Sequence, residues 1–458
     1  MSNVDSDIIK IGIKTLALTG LGTAALVGAH HLGRKQYDSN ASLLDYVEGV
    51  KRKLGLNNEV KPQEAQKSKR GAQSVASPLS QQTVSNPDNL SAPYWISGVA
   101  DVETNEFAVV AIDDARQIIW QTTMPERVHD ILIQPKPKTH MAEVSSSQSP
   151  RHVAVMGRRP SEHFWILDVQ TGEVIYSISA QKDRHFYGHA CYSVAGDLLY
   201  VTENNTTDFS GVIGVYDVQS GYQKIDEFKT QGIGPHELLM HTDGETLVIA
   251  NGGIKTERAS REELNLDSMQ PSLVYLKRHN GELLEQVYPE HNQMSVRHLA
   301  MHDDGTVIVA IQFQGERHLS VPMVLTHRRG EAELTSLQIP TTDNKGWYRF
   351  HHYIASVAVD SDANLICVTS PIGGCAAIFD LNTRQLVDAT DLPDCAGVAG
   401  YDMNTDETAD KNTPRFLVTN GQGYLTQLAI GEEDSSRIIV DKIHQPYAFD
   451  NHLNTVVS

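Results

Sequence analysis

From Tyr94 onward, short runs rich in Val, Ile, Leu and Tyr alternate with Gly, Asp and Asn turn residues, and no stretch sustains a helical period. The clearest unit is GPHELLMHTDGETLVIANGG, Gly234 to Gly253, which reads as a strand, an Asp-Gly turn and a second strand. FYGHACYSVAGDLLYVTE from Phe186, VRHLAMHDDGTVIVAIQ from Val296 and YIASVAVDSDANLICVTS from Tyr353 repeat that texture. VHDILIQP from Val128 and GVAGYDMNTDE from Gly397 open two further units. A second strand pair follows each opening, as in HFWILDVQTGEVIYSI, GVIGVYDVQSGYQKIDEF and AAIFDLNTRQLVDATDL. The result is six units of four strands with a period of roughly 40 to 60 residues, the spacing of propeller blades.

The remainder completes the count. YWISGVADVETNEFAVVAIDDARQIIWQTTMP supplies three strands without an inner one, and YAFDNHLNTVV supplies one inner strand without its followers. Together they make a seventh blade whose strands come from both ends, which removes the open edges of a linear stack. The expected fold is all-β: a seven-bladed β-propeller of four-stranded antiparallel blades over residues 92–458, its last blade closed by strands from both termini.

Before it lie two segments of different texture. Residues 1–29 contain the apolar, small-residue run TLALTGLGTAALVGA behind Lys10 and Lys14, and are read as a signal peptide or membrane anchor. The run is short of the roughly 20 apolar residues of a membrane span, and Arg34, Lys35 and the Lys51–Lys53 cluster follow it. Residues 30–91 are rich in Ser, Gln, Asn, Lys and Pro and are read as a disordered, low-complexity linker. The expected location is the periplasm, with the domain soluble after cleavage or held at the membrane by its N-terminus alone.

The formal net charge of −19 speaks against a nucleic-acid partner, since phosphate binding relies on concentrated Lys and Arg. The four cysteines include no CxxC pair and so no zinc-type signature. Cys367 and Cys375 flank one turn, where they either face each other across a hairpin or remain buried thiols.

Candidate chemistry comes from alignment of the inner strands. Counted back from each inner-strand turn, His189, Glu237, His298 and Ser356 fall on one step, and His129 joins them when its Pro-Lys-Pro turn is aligned. His236 and Arg297 lie one step earlier, and His352 lies just before the Ser356 strand. Inner strands surround the channel, so equivalent positions converge on the axis. His129, His189, His236, Glu237, His298 and His352 are therefore candidate metal ligands, with iron or copper the expected ion, because imidazole suits both. The competing reading is that these polar groups only satisfy backbone partners or hold water. His241, His302 and His327, beside turns or on outer strands, are expected to face solvent. Asp130 and Glu237 are alternative general bases, but no GxSxG, HExxH, phosphate loop or dinucleotide fingerprint places a nucleophile or cofactor. The long connection Asn251–Leu273 adds Asn251, Arg261, Asn265 and Asp267 as candidate ligand-binding residues, beside Arg297 and Ser356.

The ordered segments YGHACYS, LYVTEN, GVIGVYD, GIGPHE, LVIANGGIKT, LNLDSMQPSLVYL, SVRHLAM, IQFQG, YIASVAVD and TSPIGG resemble the bacterial family catalogued as domain of unknown function 1513. The resemblance is dense over residues 127–380. It implies an exported propeller similar to quinoprotein and lactonase-like domains, accompanying imelysin-like and di-haem peroxidase-like proteins of iron uptake. It assigns no catalytic residue. The family's Gly-His-Gly reads Gly188-His189-Ala190 here, its tyrosine-glycine-serine reads Tyr353 to Ser356, and no Arg-Arg pair precedes the apolar run. The first expectation is thus an exported, ligand- or metal-binding accessory protein in iron acquisition, with imelysin-like or other iron-uptake partners. A lactonase-like hydrolase or metal-dependent oxidoreductase is the second, and a non-catalytic interaction scaffold the third.

Overall fold

The repeated turns form because their acidic residues close on the backbone. Asp243 accepts the N–H groups of Glu245 and Thr246 at 2.8 and 2.9 Å, and Gly244 takes the φ of 69° that the turn requires. The same device recurs between third and fourth strands: Asp168 accepts from Gln170 and Thr171, and Asp380 from Asn382 and Thr383.

The computed structural model describes residues 91–456, apart from 137–150, 160, 257–261, 402–413 and 432–437. The expected export segment, nearly all of the linker, and Arg261 lie outside the described residues. Within them, the strands form seven four-stranded antiparallel sheets. Blades one to six follow chain order, with inner strands Val128–Ile133, Arg184–Tyr192, Pro235–Met240, Met294–Met301, Ser356–Asp360 and Cys395–Gly400. Blade seven joins the inner strand Tyr447–Thr455 to Trp95–Asp101, Phe107–Ile112 and Ile118–Met124. Its register runs from Trp95 opposite Thr455 to Asp101 opposite Tyr447. Tyr447–Thr455 also touches the inner strands of blades six and one, so the ring closes as the sequence indicates.

Middle strands are covered on both faces by neighbouring blades, which explains their unbroken apolar runs. All six residues of Thr246–Asn251 are buried, whereas the outermost strand Ile438–His444 is largely exposed. Aromatic contacts stitch one blade to the next, as where Phe164 of blade one meets Phe186 of blade two edge-on at 5.1 Å. Because strands alternate in direction, the entrances to the inner strands share one face with the connections between second and third strands.

Cys375 lies opposite Ser370 and Cys367 opposite Ile378, and all four cysteines are buried and free, so the buried-thiol reading of that pair holds. The expected exposure of two histidines fails. His327 is fully buried rather than solvent-facing, with Nδ1 at 2.8 Å from the Tyr275 hydroxyl and Nε2 at 3.0 Å from the Glu331 carbonyl. His302 is buried too, against the Ser361 carbonyl.

Candidate metal centre in the central channel

A regular strand sends consecutive side chains to opposite faces, but six of the seven inner strands carry a register irregularity. It falls between Val128 and Asp130, Phe186 and Ala190, Pro235 and Leu238, Val296 and His298, and Cys395 and Val398, with a further one where blade seven closes. An extra residue at a bulge re-aims its neighbours, so His129 with Asp130 and His236 with Glu237 both reach the axial region. Gly188 is part of this packing. Its φ is 101°, and a Cβ there would stand 2.6 Å from Cδ2 of His129.

Five imidazoles meet there. Ring centroids of His189 lie 4.6 Å from His129, 4.4 Å from His236, 5.7 Å from His298 and 4.9 Å from His452. His129, His189 and His452 form one triad and His189, His236 and His298 a second, with donor atoms in each within 4.8 Å of one another. His189 belongs to both.

Carboxylates orient the rings from behind. Asp130 faces Nδ1 of His189 at 3.1 Å and Nδ1 of His452 at 3.4 Å, while Glu237 faces Nδ1 of His298 at 3.0 Å and accepts the Leu299 N–H at 3.0 Å. A proton on Nδ1 in each pair leaves Nε2 as the lone-pair nitrogen, the arrangement that fixes a metal-binding tautomer. Nε2 of His189 and His452, and Nδ1 of His129 and His236, are buried and take no hydrogen bond from any protein group. Leaving such atoms unmet costs about 1 to 3 kcal/mol each.

Burial also sets the charge state. It holds the imidazoles of His129, His189 and His236 well below their ordinary range, with neighbouring cations adding to the effect. His298 is lowered to about 3 and His452 to about 4, burial again leading. Burial raises Asp130, and raises Glu237 to about 8. Five neutral imidazoles therefore surround the axis at neutral pH. Beside them lies a cavity of about 180 Å³ lined by Asp130, Glu237, His298, Ser356, His452 and apolar inner-strand residues.

The sequence-derived residues separate clearly. His129, His189, His236 and His298 come together, and Glu237 sits behind His298 as an orienting carboxylate. His352 lies elsewhere: Nε2 donates to the Leu319 carbonyl at 2.8 Å and the ring packs on Phe313, tying down a loop of blade four. It follows the short helix Gly346–Phe350, ahead of the Ser356 strand as expected, but outside the set of rings that meet at the axis. Ser356 accepts the Val398 N–H at 3.3 Å, while Arg297 stands beside His298. Asn251 donates to the Thr230 carbonyl on the outermost strand of blade two, whereas Asn265 donates to the Gly253 carbonyl and accepts the Lys255 N–H, folding the connection onto its own blade. Asp267 is exposed, its carbonyl accepting from Asn292. His452 was missed, and so was the orienting role of Asp130. The available signal was the polar doublets, His129-Asp130, His236-Glu237, Arg297-His298 and Asn451-His452, one on each of four inner strands.

Comparison with known proteins agrees with this architecture. The family model described as "Protein of unknown function (DUF1513)" matches residues 122–456. No curated protein matches the sequence. Among solved structures, the chain is similar to Kuenenia stuttgartiensis hydrazine synthase, at 14% identity and a TM-score of 0.50, covering 80% of this chain and 99% of that one. It is also similar to a hypothetical selenium-binding protein from Sulfolobus tokodaii, at 11% identity and a TM-score of 0.52, covering 81% and 94%. At such identities the likeness concerns the fold alone.

Proposed function

We propose that the chain, which belongs to the DUF1513 family, is a metal-binding propeller that holds one transition-metal ion, iron or copper, among the channel histidines. The observation that carries this reading is the set of buried imidazole nitrogens without protein partners, one on each of four histidines that meet around the axis. An all-imidazole donor set suits late first-row metals, and the Asp130 and Glu237 carboxylates supply the outer shell that such ligands normally have. A bound ion would provide Lewis acidity or one-electron chemistry at the axis. The protein's own part is to keep the rings neutral, fix their tautomers and shield them from bulk water.

The wider proposal is an exported accessory protein of the cell envelope working beside iron-uptake partners. The apolar run Thr15–Ala29 and the ordered family motifs support that setting. Elemental analysis of the full chain, purified without affinity histidines, tests the reading. About one iron or copper per chain is expected, falling to background in His189→Leu, since that residue serves both triads. A folded wild-type chain that retains no metal and takes up neither iron nor copper on titration would overturn it.

A further inference from the structure

The face of the channel where the inner strands begin carries a second arrangement. Arg159, on the connection between second and third strands of blade one, lies over the ring of Tyr187 of blade two, 5.4 Å from its centroid. Its Nη1 continues to Thr256 of blade three, donating to the hydroxyl at 3.0 Å. Arg158 precedes it and Arg297 enters from blade four, one residue before His298. Tyr187 is one residue from Gly188 and two from His189. The Arg159 guanidinium thus lies against the residue that precedes Gly188 and His189, in a chain whose net charge is −19.

Buried polar atoms lie near the start of the same inner strand of blade two. Phe186 packs toward blade one through Phe164, so strand alternation turns His185 and Tyr187 toward blade three. Asn204 is the direct cross-strand partner of His185, fully buried, and neither of its amide atoms meets a protein partner. A buried amide so placed is unfavourable unless a ligand or water meets it. On the same side of blade one, Arg127 pairs with Asp450 through two nitrogens, and that carboxyl ends below its usual range despite burial because Arg127 and Arg158 hold it there.

We infer that this mouth binds the oxyanion group, carboxylate or phosphate, of a small acidic ligand, with Arg159 and Arg297 as the charged contacts and Tyr187 and Asn204 as polar ones. Guanidinium forks match such planar or tetrahedral oxyanions, and a localised positive mouth on an acidic protein concentrates anions at that point. The inference deepens the metal-site reading by naming the class of molecule that approaches the histidines, but its test needs no metal.

The full chain, stripped of metal with chelator and dialysed, is titrated calorimetrically with inorganic phosphate and, separately, with succinate. Saturable binding of at least one, with a Kd below about 10 mM, is expected. Which anion binds more tightly identifies the phosphate or carboxylate source. Arg159→Gln and Arg297→Gln are each expected to weaken it about tenfold or more, and Asn204→Leu by less. Arg297→Lys, which keeps the charge but not the fork, should fall between and guards against a folding defect in the neutral variant. His189→Leu should lose metal yet retain the anion, which separates failure of this inference from failure of the metal reading. No saturable binding of either anion, or binding that both glutamine variants leave unchanged, would overturn it.

Discussion

The channel has two unlike sides. Along blades five and six, its polar groups close on the backbone: Ser356 accepts the Val398 N–H, Thr369 donates to the Ala396 carbonyl at 2.5 Å, and Thr419 accepts the Gly397 N–H at 3.1 Å. Along blades one to four and seven, imidazoles face one another, and four of their buried nitrogens have no protein partner. Both sides meet the crowding of inner strands with polar side chains, but only one leaves hydrogen-bonding capacity unused. His327 sharpens the contrast. It is as buried as His189, yet both of its nitrogens are engaged, by Tyr275 and Glu331. Burial of a histidine is thus no mark of a site, and the proposed metal centre rests instead on the shared set of unengaged nitrogens.

The largest expected effect follows from that distinction. His189→Leu should weaken metal binding by on the order of a hundredfold or more while the chain stays folded. His327→Leu should leave metal content unchanged and lower stability by about 1 to 3 kcal/mol in denaturant unfolding, because the Tyr275 hydroxyl loses its partner. Equal metal loss in the two variants would erase the comparison.

Asp130→Asn comes next. The amide can no longer accept from both His189 and His452 as a carboxylate does, so metal affinity should fall by about 10- to 100-fold with little change in fold. Competition with a chelator of known affinity measures it.

Acid sharpens the comparison differently. The cluster imidazoles are neutral in the folded, metal-free chain, with His298 at about 3 and His452 at about 4. Unfolded histidines titrate near 6.5. Below that value the unfolded chain takes up protons that the folded one refuses, so stability is lost as pH falls from about 6.5 toward about 3. Each imidazole contributes up to about 1.4 kcal/mol per pH unit in that window. Asp130 and Glu237, raised by burial, act with the opposite sign, but five imidazoles outnumber two carboxylates. Urea midpoints at about pH 7 and about pH 5 should show the loss, and His189→Leu should reduce it. The smallest effect is expected on the other side of the channel: Ser356→Ala should cost about 1 kcal/mol and leave metal binding untouched.

Much of this architecture is legible in the chain. The alternating runs, the Asp-Gly turns and the two incomplete end segments specify seven blades and the closure of the last, because strand period and turn chemistry are local properties of sequence. Equivalent inner-strand positions also bring His129, His189, His236 and His298 into view. His452 escaped because its strand pairs with Trp95–Asp101 from the other end of the chain, leaving no following turn from which to count. The bulges are invisible to a strict two-residue period, which sends Asp130 and Glu237 away from the histidines beside them. The guanidinium mouth assembles from a connection of blade one and the inner strands of blades two and four, and only the ring geometry joins Arg159, Tyr187 and Arg297.

The measurement that tests the central claim most directly is X-ray absorption at the edge of the metal retained by the full chain. A first shell of nitrogen scatterers at about 2.0 to 2.1 Å, with the imidazole outer-shell pattern and no sulfur, is the expected result. A shell dominated by sulfur, or by oxygen alone, would contradict the histidine cluster as the binding site.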